Sequence, residues 1–274
     1  LSLHDALPIL YYRYVDPQYS INNQPINSFE AGQLRNTLLV LQRIKGIPKF
    51  KWVSALVLKL EKEFQLSQET QEVICFDSND YLKGLEHITE LYNAIVNKKV
   101  IKVTYQTFFS TAPKTILLHP YYLKQFNNRW FLLGANPDFE LLTNLALDRI
   151  VSFELTETLS YTQTAINFND YFDDIIGVSM PADKTIYKVI VKASSAQAPY
   201  IQTKPLHPSQ KQLKADPTGC TFQIDVQLNF ELEKHLLSFG EHIQVLEPVL
   251  LRERLMKRIQ ESLKAYVHKD CIVE

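Results

Sequence analysis

Glycine is scarce in this 274-residue chain, with seven in all. A glycine-rich loop that cradles phosphates has little material to be built from. Cysteine is scarcer still: Cys75, Cys220 and Cys271 are the only three. They are odd in number, far apart and form no CxxC pair. That argues against a disulfide framework and against a cysteine zinc site, and it fits a reducing, cytoplasmic setting. No apolar run reaches the ~18 residues that a membrane-spanning helix needs. Charge of one sign is not in excess either, since 29 Lys and Arg face 30 Asp and Glu. A wholly basic nucleic-acid coat protein is therefore excluded, although a local basic face is not. The chain has no G-x-S-x-G elbow, no HExxH pair and no P-loop. Asp173 and Asp174 are adjacent and would point apart on a helix, and Cys220 has no histidine signature nearby. No catalytic residue, metal ligand or cofactor is assigned, and an enzyme is the weaker class.

What is present reads as two or three soluble domains. The opening LSLHDALPI has no basic n-region and is broken by His4, Asp5 and Pro8, so it is no signal peptide. It resembles a translated sequencing adapter, and residues 1–9 are read as a non-native segment. Residues 10–27 read as an extended connector. Ser28 is placed to cap a helix to about Lys45, which Gly46 and Pro48 end; a second helix follows at about 49–65. A polar stretch from Ser67 to Asp80 leads to a third helix at about 84–97, with Ile88, Leu91, Ile95 and Val96 as its apolar stripe.

The period then changes from helical to alternating. Ile101, Val103 and Tyr105 point one way, and Lys102 and Thr104 the other. Further strands are expected at about 114–124, 129–135 and 146–155, with Asn127-Asn128 as a tight turn. Short strands after one helix suggest a small SH3-like or Sm-like barrel. After an acidic aromatic linker, the last ninety or so residues read strand, helix, strand, strand, helix, strand, helix, the order of a ferredoxin-like unit with an added helix. Phe222, Ile224, Val226, Leu228 and Phe230 are expected on a buried face, with Gln227 and Asn229 on the wet one. The last helix places Leu251, Leu255, Ile259, Leu263 and Tyr266 on one face.

Charge is uneven along the chain. No acidic residue lies between Glu90 and Asp138. That window holds Lys98, Lys99, Lys102, Lys114, Lys124, Arg129 and His119, interleaved with Tyr92, Tyr105, Phe108, Phe109, Tyr121, Tyr122, Phe126, Trp130 and Phe131. Cations neutralise phosphate and rings stack on bases, so this mixture suits a ligand that carries both. The bland alternative is that the rings fill a core and the lysines protect a sheet edge.

HPYYLKQFNNRWFLLG (His119 to Gly134) followed by NLALDRI (Asn144 to Ile150) resembles the WYL domain of bacterial transcriptional regulators. The naming tripeptide stands here as Trp130-Phe131-Leu132. PLHPSQ (Pro205 to Gln210) and LSFGEHIQVLEPVLLRERL (Leu237 to Leu255) resemble the WCX extension of the same family, and YYRYVDPQYSI (Tyr11 to Ile21) with the two helices after it matches the family's linker. The resemblance covers about residues 10–270. It implies an α+β chain: helical linker over 10–83, Sm-like barrel (WYL) over 84–160, linker over 161–184 and ferredoxin-like domain (WCX) over 185–274. It further implies a barrel that senses a nucleic-acid or nucleotide effector, a homodimer, and promoter DNA reached only through an N-terminal helix-turn-helix that these residues do not contain.

By that resemblance Arg149 is a pocket arginine able to grip phosphate bidentately, unless it pairs with Asp148. Arg129, Tyr105, His119 and Trp130 are further ligand candidates, with Lys102 and Lys114 as solvated cations beside them. Phe131 and Ala146 depart from the family's usual tyrosine and arginine, which removes a phenol and weakens the basic pocket. Two alternatives stay open: a freestanding module for single-stranded nucleic acid, and a protein-interaction accessory whose barrel takes no small ligand.

Overall fold

The computed structural model describes residues 26–43, 51–66, 82–157 and 159–267. The 1–9 segment, most of the 10–27 connector, the helix stop at Gly46 and Pro48, the Ser67 to Asp80 stretch, Cys75 and Cys271 lie outside the described residues. The chain divides into two units between Tyr81 and Leu82.

The first unit is a helical hairpin of α1 (Ser28–Arg43) and α2 (Lys51–Glu63). Its cap is one residue earlier than Ser28. The Asn27 side-chain oxygen accepts from the Glu30 N–H at 2.9 Å, and the Glu30 carboxylate accepts from the Asn27 N–H at 2.8 Å. This reciprocal pair satisfies two donors at the open helix end. Ala31 and Leu38 face Val57 and Leu60 across the hairpin. Within this apolar seam Arg35 is buried, its Nε donating to Glu61 at 2.7 Å. Burial of the arginine is tolerated because the carboxylate answers it.

The second unit contains two antiparallel sheets with helices, a mixed α+β arrangement. A short 3₁₀ turn leads into α3 (Ile88–Val96), which buries Ile88, Leu91 and Ala94; Val96, expected on the apolar stripe, is exposed. The first sheet has the order β4-β3-β2-β1-β5, with β1 (Val100–Tyr105), β2 (Lys114–Phe126), β3 (Arg129–Ala135), β4 (Thr143–Ala146) and β5 (Ile150–Thr156). Asn127 and Asn128 both have positive φ, 48° and 58°. Asparagine tolerates that conformation, and the twist of such a turn suits a two-residue hairpin. Ile101, Val103 and Tyr105 face inward with Leu118, Leu132, Leu145 and Leu147.

The expected strand 146–155 is broken. Residues Leu147–Arg149 form a 3₁₀ turn between β4 and β5. The physical reason is topological: β4 and β5 are the two ends of the ladder, so the chain must cross the end of the sheet and cannot remain extended. The ladder does not close into a barrel, because no pairing joins β4 to β5 among the described residues.

The second sheet has the order β7-β8-β6-β9, from β6 (Ile186–Ser194), β7 (Lys211–Asp216), β8 (Gly219–Gln227) and β9 (Ile243–Glu247). Helices α4 (Ala198–Thr203), α5 (Phe230–Leu237) and α6 (Val249–Val267) complete it. Phe222, Ile224 and Val226 are buried as the alternation requires. At the end of β8 the pattern fails: Phe230 is exposed while Gln227 and Asn229 are buried. Asn229 is taken inside because it caps α5, its oxygen accepting from the Leu232 N–H at 2.8 Å. Its amide also donates to the carbonyls of Ile176 and Ser179. The last helix departs too: Leu251 and Leu255 are buried, but Ile259, Leu263 and Tyr266 are exposed. No helix among the described residues is long and apolar enough to cross a membrane.

Candidate functional site

The 3₁₀ turn at the end of the first sheet carries Asp148 and Arg149. Arg129 leaves the Asn127-Asn128 turn beside it, and its Nε lies 3.1 Å from Asp148 Oδ2. Arg149 Nε lies 3.8 Å from Oδ1 of the same carboxylate. That second distance is outside hydrogen-bonding range, so the Arg149 contact is a looser, charge-only one. Two arginines thus share one acid, and the cluster keeps a surplus positive charge. Asp148 is largely buried at 12% side-chain exposure, whereas Arg149 retains 27% and Arg129 45%.

Tyr105, at the end of β1, completes the cluster. Its hydroxyl oxygen accepts from the Ala146 N–H at 3.3 Å, and its ring lies 5.9 Å from the Arg149 guanidinium. Burial raises the pKa of the Tyr105 phenol, with the Arg149 charge pulling the other way. The Phe108 ring lies 5.3 Å from the Arg149 guanidinium and is mostly exposed. The guanidinium thus lies within cation–π distance of two rings. The Arg149 carbonyl accepts from the Gln106 N–H at 3.1 Å, tying the turn to the end of β1.

The other expected residues scatter. Lys102 points to the face opposite Tyr105 and lies 3.5 Å from Glu154 on β5; Lys99 likewise meets Glu157 at 3.7 Å. The acid-free window is answered by glutamates from later in the chain, which spacing along the sequence could not reveal. Lys114 pairs with Tyr105 across the ladder, so it shares that side of the sheet, and it is exposed. His119 is buried on the opposite face from Leu118. Its Nδ1 accepts from the Thr162 N–H at 3.0 Å, with Tyr161 edge-on at 5.8 Å. Burial lowers its pKa, and its ring nitrogen holds the Thr162 end of the linker. Trp130 is partly buried and packs against the core on the side of Leu132.

Two residues that sequence reasoning passed over build the turn. Gly84 has a φ of +88°, and a Cβ there would lie 2.5 Å from the Leu147 carbonyl carbon. Only glycine allows that close backbone approach. Asn144, on β4, donates to the Val178 carbonyl at 3.0 Å and so fastens the linker next to the site. Linker rings also pack on β2: Phe168 stacks on Tyr122 at 4.7 Å, and Lys124 Nζ sits 3.3 Å over Phe172.

A second polar cluster lies in the C-terminal part. His207 is buried, its Nδ1 2.8 Å from the Ser209 hydroxyl, which accepts from the Asp225 N–H. The hydroxyl also donates to the Asp225 carbonyl, which binds the loop to β8. Among the described residues no group of three or more His, Cys, Asp or Glu could hold a metal ion.

Comparison with known proteins adds two family matches. The WYL domain matches residues 86–155 and the WCX domain residues 185–263. A search of curated proteins finds no match. Among solved structures, the chain is similar to proteasome accessory factor B/C (PafBC) of Arthrobacter aurescens, at 14% identity and a TM-score of 0.28, over 88% of this chain and 37% of that one. It is also similar to a CRISPR Cas-related protein, at 14% identity and a TM-score of 0.41, over 92% of this chain and 75% of that one.

Proposed function

The chain belongs to the proteins that carry a WYL domain followed by a WCX domain, and from that premise we propose that it is the ligand-sensing and dimerising portion of a bacterial WYL-type transcriptional regulator. The first sheet, in this reading, is an opened Sm-like arrangement, and the second a ferredoxin-like one. The effector is a nucleotide or a single-stranded nucleic acid. Promoter DNA is reached only through an N-terminal module of the family's kind, and the chain acts in the cytoplasm without enzymatic chemistry.

One observation carries the reading: Arg129 and Arg149 converge on Asp148 with Tyr105 and Phe108 alongside. An anion placed before Arg149 gains a partly desolvated guanidinium, and a base gains a ring to stack on. Lys114 is within the same side of the sheet and adds positive potential. Lys99 and Lys102 are matched by glutamates, whereas Arg129 and Arg149 have one carboxylate between them. That favours a compact effector, or the end of a strand, over a long backbone lying along a groove.

The test is the fluorescence of Trp130, titrated with a short single-stranded DNA and with a nucleoside triphosphate at two salt concentrations. Binding that weakens with salt and drops about tenfold or more in Arg149→Ala supports the reading. Equal affinity in Arg149→Ala removes the residue from the site. No binding by the parent at either salt concentration favours the protein-interaction alternative.

A further inference from the structure

The outer half of α6 has an apolar stripe that its own domain does not cover. Leu251 and Leu255 are buried against the second sheet. One step around the helix, Met256, Ile259, Leu263 and Tyr266 are 51%, 54%, 61% and 87% exposed. Their spacing is three, four, three, the alternation of a and d positions in a heptad. A simply solvated helix end has charges spread around it. Here Lys257, Arg258, Glu261 and Lys264 all fall on b, c and f positions, away from the stripe. The flanking e and g positions are Leu255, Gln260, Ser262 and Val267, none of them charged. Arg258 is held off to the side by Glu233 at 2.9 Å.

We propose that this stripe is a helix-pairing seam, and that its occupant is the α6 helix of a second copy of the chain, running antiparallel. A twofold axis beside Glu261 sets Ile259 against Leu263 of the second copy and Met256 against Tyr266. Each a residue then meets a d residue, and Glu261 itself points outward. Uncharged flanks matter here, because in a self-pairing helix any charged flank would oppose its own kind. The second observation is an apolar groove of about 170 Å³ beside the stripe, lined by Leu236, Val245, Leu255, Met256 and Ile259 among others. In the antiparallel register Tyr266 of the second copy arrives beside Met256, at the mouth of this groove. An isologous contact of this kind closes on itself and yields a dimer rather than a filament.

The proposal deepens the dimeric part of the function proposed above and rests on it. Sedimentation equilibrium of the full chain over a wide concentration range is the first measurement. A monomer–dimer equilibrium is expected, with the Ile259→Glu/Leu263→Glu double variant weakened at least about tenfold at unchanged helix content. The second measurement fixes the register. In a Cys75→Ser/Cys271→Ser background, chains bearing Ile259→Cys and chains bearing Leu263→Cys are mixed and oxidised. With the two chains mixed in equal amounts, a cross-linked heterodimer well above the statistical twofold excess over either homodimer is expected. A parent chain that stays monomeric overturns both the seam and the dimeric reading. A dimer that the double variant leaves intact overturns the seam alone. Preferential homodimer cross-links overturn the antiparallel register.

Discussion

Asn144 of β4 holds the carbonyl of Val178 at 3.0 Å, and this single amide joins the strand that leads into the Asp148-Arg149 turn to the segment that enters the second sheet. The same segment is gripped from the other side. Asn229 donates to Ile176 and Ser179, Ser179 donates to Glu231 at 2.6 Å, and the Gln227 N–H donates to the Asp174 carbonyl at 2.7 Å.

Replacing Asn144 by alanine removes the grip on one side only. The expected cost is about 1 kcal/mol of stability, the net worth of one such bond. Hydrogen exchange checks the consequence: the Gln227 amide, closed by Asp174, should exchange faster while amides of β1 and β2 do not.

Replacing Asn229 by alanine should cost more, about 1–3 kcal/mol, because one change removes a helix cap and two carbonyl partners. The measurement is the urea midpoint, and Asn229→Asp separates the two roles. Aspartate keeps the cap but cannot donate to Ile176 and Ser179.

Asp148→Asn should raise affinity for an anionic effector several-fold and steepen its salt dependence. The change removes the carboxylate charge that both arginines now share. Fluorescence titration at two salt concentrations reads both quantities; an unchanged salt slope would mean that the two arginines do not face the ligand together.

Gly84→Ala should destabilise the second unit by about 2 kcal/mol or more, read as a lowered thermal midpoint. The site has a positive φ, and the new methyl would press on the Leu147 carbonyl. Effector affinity should fall as well, since the displaced backbone is that of the Leu147–Arg149 turn.

Burial lowers the pKa of His119, His207 and His235 from their ordinary 6.5. For His207 the carboxylates of Asp173, Asp174 and Asp225 oppose that effect without reversing it. A histidine with a depressed folded pKa takes up its proton more readily in the unfolded chain. Stability contributed by these three residues is therefore present above about pH 6.5 and is lost as pH falls through the lower folded values. Denaturant midpoints at neutral and mildly acidic pH measure the loss, and His119→Asn should flatten part of it.

Local patterns read well from the sequence wherever one rule governed. Asn127-Asn128 declared its turn, and Ile101, Val103 and Tyr105 declared their face, because φ tolerance and alternation are properties of neighbours. The 146–155 run misled because Ala146, ending β4, and Ile150, opening β5, are strand on the two sides of a corner whose need arises only from strand order. Arg149 and its alternative partner Asp148 were both legible, but that Arg129 shares the same acid was not, since the pairing crosses from β3 to the turn. The partners of Lys102 and His119 were not legible for the same reason: Glu154 and Thr162 come to them from far along the chain. Phe230 and Asn229 exchanged their expected places because capping α5 outranked alternation at the end of β8.

Arg129 follows directly after two residues in the left-handed region, whose backbone has little room to move. Its anchor point is set by that hairpin corner. Arg149, by contrast, stands on a 3₁₀ turn hung between two sheet edges, with its side chain in loose contact with Asp148. The two guanidiniums that share Asp148 thus start from anchors of different kinds: a hairpin corner on the β3 side, and on the side from which β5 departs a turn tied to β1 through the Gln106 N–H.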